Sequence, residues 1–224
     1  MATFPKSFYR AAAVASMLSV ITTLALIFLP RFYGPAESFE HRLALADHPL
    51  AELRAWLYLL HPFLVLTAAL GAAAALRRTA PAAAAAGFLG FLLWAFTEAA
   101  QQALTLVAYR RWADAYGSAE TAVREILAVQ VATYDAIWDS MFLLLLIGFL
   151  IGDLLYGWAL IRRSGFDRVI GVCFLAAAAL TAAGISGELG GPVLPAAIAP
   201  WIYPAVQPLA RLLIGVWLWR TVER

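Results

Sequence analysis

A single cysteine, a single lysine and three histidines in 224 residues remove several chemistries at once. Cys173 has no second thiol, so neither an intramolecular disulfide nor a thiolate metal site is available, and its apolar surroundings read as those of a small buried hydrophobe. Lys6 lies in the N-terminal tail, which excludes a retinal Schiff base. Charged residues make up only 13% of the chain, and the basic ones are scattered singly or in pairs rather than gathered into a stripe, so nucleic acid is excluded as a partner. There is no Gly-x-Ser-x-Gly elbow, no phosphate-cradling glycine loop and no GxGxxG after a strand. Without a Glu-x-x-His, His-x-x-x-His or His-Glu-x-x-His pattern, no metal and no cofactor is expected.

What the chain has in abundance is apolar surface: 63% hydrophobic residues and a mean hydropathy of +0.80, far outside soluble composition. A helix crosses a hydrocarbon core of about 30 Å with roughly 20 mostly apolar residues. Six segments meet that need, at about 9–30, 54–76, 83–108, 137–161, 169–185 and 197–219. The fold class expected is therefore all-α: one integral membrane domain over 1–224, a bundle of six transmembrane helices. The first apolar run is too long for a signal peptide, and Leu29-Pro30-Arg31-Phe32 is a poor cleavage site, so it is read as a retained helix.

Basic residues in short loops set the expected orientation. Lys6, Arg10, Arg77, Arg78, Arg162, Arg163, Arg168, Arg220 and Arg224 fall on one side, in short linkers or tails. Arg31, Arg42, Arg54, Arg110, Arg111 and Arg124 fall on the other, diluted with Glu and Asp in two long loops. The reading is a bacterial inner-membrane protein with both termini cytoplasmic. The two outer loops, about 31–52 and 110–136, are expected to fold as short amphipathic helices, from apolar spacings such as Val123, Ile126 and Leu127. They contain similar phrases, Tyr33-Gly34-Pro35-Ala36-Glu37-Ser38 and Tyr116-Gly117-Ser118-Ala119-Glu120-Thr121, which either record a duplicated hairpin or are ordinary helix-start chemistry.

Polar side chains inside the spans carry the functional information, because each must face the bundle interior or a wet cavity. His61 precedes Pro62 in the second span; Glu98, Gln101, Gln102 and Thr105 recur at spacings of three and four and share one face of the third. The fourth opens with Asp135 and Asp139 and carries Asp153 deeper, and the sixth bears Gln207 and Arg211 between prolines and tryptophans. A deep layer is expected to hold an Asp153–Arg211 ion pair, with Glu98 as an optional third member, or to offer Arg211 to an anionic headgroup or carboxylate. An outer layer of His61, Glu98, Gln101, Gln102, Asp135 and Asp139 is expected to line an outward-facing polar cavity, with Gln207 and Arg211 completing the candidate ligand-binding set. Gly148 and Gly152 form a small-xxx-small pair expected to let helices touch.

The six-helix layout, the phrase Gly87-Phe88-Leu89-Gly90-Phe91-Leu92 leading to Glu98, and the run from Ser140 to Gly157 before Arg162-Arg163 resemble a bacterial family of six-helix membrane proteins of unknown function. That resemblance implies a helical bundle and brings no catalytic residue with it. Three functions are compatible with the polar layers: binding or transport of a small or lipid-like molecule, a non-catalytic sensor or assembly subunit, and an intramembrane enzyme using His61 with Glu98 or Asp139 as acid and base. The partners expected are membrane lipids, a small or lipid-like ligand and, as an option, further copies of the chain.

Overall fold

The computed structural model describes residues 4–195, 197 and 199–221. Of the residues named above, Arg224 lies outside them, as does position 198 within the sixth expected span. The chain is 87% helical, with no strand among the described residues. Its long helices are α1 (Lys6–Phe28), α3 (Pro49–Leu76), α4 (Pro81–Leu104), α6 (Thr121–Ile161), α7 (Phe166–Glu188) and α8 (Ala199–Thr221), with two short ones, α2 (Phe39–Ala44) and α5 (Arg110–Ser118). Five helical stretches among the described residues are long and apolar enough to cross a membrane: Lys6–Phe32, Pro49–Leu76, Pro81–Ser118, Thr121–Ile161 and Phe166–Glu188. The molecule is thus the helical apolar bundle of a multi-pass membrane protein.

Local chemistry sets the helix ends. Pro49 and Pro81 occupy first helical positions, where a missing N–H costs nothing, and Ser38 caps α2 by accepting from the His41 N–H at 3.1 Å. Gly165, at φ +61°, makes the tight reversal between α6 and α7. The second outer loop is not a loop. Helix α4 runs through a π-helical turn, Thr105–Tyr109, straight into α5, and after only Ala119 and Glu120 the chain starts α6, whose 41 residues include the amphipathic spacing read from the sequence. The two similar phrases also differ in conformation. The first is non-helical, with Gly34 at φ +72°, whereas Tyr116–Ser118 is helical, so the structure gives the phrases no common form.

The six long helices alternate in direction and close into a ring: α1 on α3, α3 on α4, α4 on α6, α6 on α7, α7 on α8, and α8 back on α1, with α7–α8 the thinnest seam. Arg10 lies over Trp219, so α1 begins and α8 ends at the same end of the ring. In this terminal half the ring is filled. Ala12, Ala72, Leu76, Tyr156, Leu160, Ile170 and Leu218 have no exposed surface, and the Tyr156 hydroxyl donates to the Ala69 carbonyl of α3 at 3.1 Å. A Cβ on Gly148 would lie 2.8 Å from the Gly90 oxygen, so α4 and α6 touch backbone to backbone there. Asp167 closes this end, receiving the Trp217 indole N–H at 3.1 Å and pairing with Arg163 at 3.3 Å, and Arg163 also bonds Thr79.

Candidate functional site

Toward the opposite end the ring is hollow. A cavity of about 1220 Å³ opens between the helices, larger than the usual ~300–1,000 Å³ of a small-molecule site. Its apolar wall includes Trp94, Trp138, Phe142, Leu145, Leu146 and Phe149, and the strap between α1 and α3 lies across its end through Tyr33, Gly34, Arg42 and Leu45. Exposed lining residues, among them Ala36, Asp139 and Glu188, put its mouth at the strap end.

Every residue of the expected set, His61, Glu98, Gln101, Gln102, Asp135, Asp139, Gln207 and Arg211, lines this one cavity. Their partners separate them into two kinds. Gln101 is consumed by helix packing: its amide donates to the Trp138 carbonyl of α6 at 2.8 Å, with 1% of the residue exposed. Asp135 is consumed by the strap, where the Arg42 guanidinium grips both its oxygens at 3.0 and 2.5 Å. That bond raises the Arg42 pKa above its ordinary value, and Arg42 also lies 5.6 Å from the Tyr109 ring centroid. Arg110 fastens the strap a second time, 2.9 Å from Glu52 and 3.7 Å from Asp47.

The second kind faces the cavity with no hydrogen-bond or ion-pair partner among the described residues: Glu98 and Gln102, each 6% exposed, together with Gln207 and the exposed Asp139. His61 does not meet Glu98 or Asp139 in a hydrogen bond. Its Nδ1 lies 2.7 Å from Thr22 Oγ1 on α1, and its ring stands edge-on to Trp94 at 6.2 Å between centroids. The Thr22 hydroxyl has one proton and two acceptors within reach, His61 Nδ1 and the Ser19 carbonyl at 3.1 Å, so the tautomer of His61 sets which of Thr22 and Nδ1 donates.

Asp153 and Arg211 do not form the direct ion pair expected of them. Arg211 lies within electrostatic reach of His61, Glu98 and Asp153, yet neither carboxylate bonds it, and Asp153 Oδ2 and Arg211 Nε are both buried without a partner among the described residues. A void of about 50 Å³ lies among Ser16, Ser19, Asp153, Cys173, Gln207 and Arg211. It is large enough for a water, which occupies about 30 Å³ in the liquid and could accept from Nε and donate to Oδ2. Pro62 follows His61 in α3, and Pro204 and Pro208 interrupt the ladder of α8 on either side of Gln207.

No family model, no curated protein and no solved structure matches this chain.

The site is therefore described by its own residues alone. Sequence reasoning missed Thr22, Arg42, Arg54 and Trp94 as members. Arg54 reaches the Leu26 carbonyl at 3.2 Å across the α1–α3 seam, and Trp94, although mid-helix, supplies the wall beside His61. A signal for Thr22 was present: Ser16, Ser19 and Thr23 repeat at three and four residues along α1, and all three are buried.

Proposed function

We propose that the chain is a six-span protein of the bacterial inner membrane with both termini in the cytoplasm, whose cavity faces outward and binds or carries a small or lipid-like molecule. Membrane lipids surround it, and of the eight expected residues His61, Glu98, Gln102, Asp139, Gln207 and Arg211 form the polar part of the binding surface, Gln101 and Asp135 being spent on packing. The observation that carries the reading is a hollow of about 1220 Å³ into which unpartnered buried polar groups project. Side chains that only held the helices together would be paired with one another, as Gln101 is with the Trp138 carbonyl, whereas Glu98 and Gln102 face the open space. Paired ends of the chain at one face of the ring accord with an even number of crossings, and the basic turns Arg77-Arg78 and Arg162-Arg163 at that face accord with a cytoplasmic side.

Cysteine labelling tests this directly in a Cys173→Ala background. Ala55 lines the cavity and Ala72 lies in the filled half. A membrane-impermeant maleimide added to spheroplasts should label Ala55→Cys and leave Ala72→Cys untouched. Ala55→Cys protected from outside but labelled from the cytoplasmic face would reverse the orientation, and protection from both faces would remove the cavity reading.

A further inference from the structure

We infer that the cavity selects a cationic ligand, a protonated amine carried on an apolar or aromatic body, with Glu98 as its counter-ion. This rests on the reading of the cavity as a binding site and names the chemical class it takes.

The charges around the floor do not cancel locally. Arg211 lies within electrostatic reach of both Glu98 and Asp153, so the floor holds two carboxyl groups against one guanidinium. One carboxyl group is in excess, and Glu98 is the one that lines the cavity. It is buried to 6% exposure, lines the cavity, and has neither a hydrogen-bond nor an ion-pair partner among the described residues. A carboxylate held this way is expensive unless something positive or hydrogen-bonding meets it.

The neighbours of Glu98 are those that suit an ammonium. Trp94 is one turn away on the same face of α4 and lines the same cavity. Indole is the strongest of the aromatic faces for a cation. His61, beside Trp94, lines the same cavity with its Nδ1 bonded to Thr22. Phe142 and Phe149 extend an apolar wall for the rest of the molecule. At the strap end, Arg42 and Arg110 are each matched to a carboxylate and Arg54 is bonded to the Leu26 carbonyl, while Asp139 and Glu188 at the mouth have no ion-pair partner among the described residues. The lining holds five carboxyl groups against four arginines, an excess of negative charge in a chain whose formal net charge is +2.

Three probes of one size separate the possibilities: 2-phenylethylamine, 2-phenylethanol and 3-phenylpropionate, titrated against the purified full-length protein and followed by tryptophan fluorescence and thermal unfolding. The amine should bind the native protein more tightly than the alcohol, and the acid least. Glu98→Gln should weaken the amine by on the order of thirtyfold or more while leaving the alcohol unchanged, because only the charged partner is lost. The comparison among probes on the native protein decides the matter even where that variant fails to fold. Equal binding of amine and alcohol, or tighter binding of the acid with loss in Arg211→Gln, would overturn the cation inference and leave the cavity reading standing. Binding of none of the three would also overturn it, and the fate of the cavity would then be read from the Ala55→Cys labelling.

Discussion

In the terminal half of the ring, small residues bring helices into backbone contact: Gly90 meets Gly148, and Ala12 stands against Gly71. Tyr156 fills what space remains. In the strap half the same helices carry Trp94, Trp138, Phe142 and Phe149 at their facing positions, with prolines in α3 and α8, and they enclose a hollow instead of a core. Buried polar groups follow the same division. Asp167 in the terminal half is tied to Trp217 and Arg163, whereas Glu98 and Gln102 in the strap half are bonded to nothing described. Close packing tolerates no unpaired dipole, and a cavity does, because solvent or a ligand can answer it. The difference teaches that close packing and open space are assigned to opposite ends of one set of helices.

The division can be broken most forcefully at Gly148. Leucine there puts a Cβ 2.8 Å from the Gly90 oxygen and the Trp94 nitrogen, neither of which can yield without parting α4 from α6. Gly148→Leu should cost about 3 kcal/mol or more and show as loss of monodisperse protein or a large fall in unfolding temperature. A matched pair comes next. Ala72→Phe, at a site with no exposed surface, should destabilise by about 1–3 kcal/mol, while Ala55→Phe, projecting into the hollow, should change stability by less than about 0.5 kcal/mol. Equal effects in thermal unfolding would erase the proposed contrast between halves.

A smaller loss is expected from Tyr156→Phe. It removes one hydroxyl that donates to the Ala69 carbonyl, worth about 1 kcal/mol, and keeps the ring that packs on Phe91. The smallest concerns the strap. Both side chains of the Arg42–Asp135 pair are more than a third exposed, so Asp135→Asn should cost only about 0.2–1 kcal/mol in unfolding. The same change should speed maleimide labelling of Ala55→Cys if the pair holds the strap across the cavity, and an unchanged labelling rate would show that the strap does not gate access.

Much of the architecture was legible because length and hydropathy alone decide whether a helix can sit in a bilayer. The polar face of α4 was legible for a similar reason, since a period of 3.6 puts Glu98, Gln101 and Gln102 together wherever the helix goes. The second outer loop was misread because its polar composition suggested a break. No glycine or proline falls between Gly117 and Gly148, however, and nothing in that stretch stops a helix once α6 has begun. The deep ion pair was misread because opposite charges at equal depth need not meet. Their separation depends on the rotation and spacing of α6 and α8, which no local pattern in the sequence records.

Taken by itself, the sequence determined the solvent this protein is built for, the apolar runs that become helices, and the faces of those helices that shun lipid, since all three follow from composition and local periodicity. Only the tertiary structure decided that Gln101 and Asp135 spend their hydrogen bonds on packing, that His61 answers to Thr22, and that Glu98 is left facing open space. Which polar group finds a partner is settled by distances between helices far apart in the chain, and no local pattern encodes those distances.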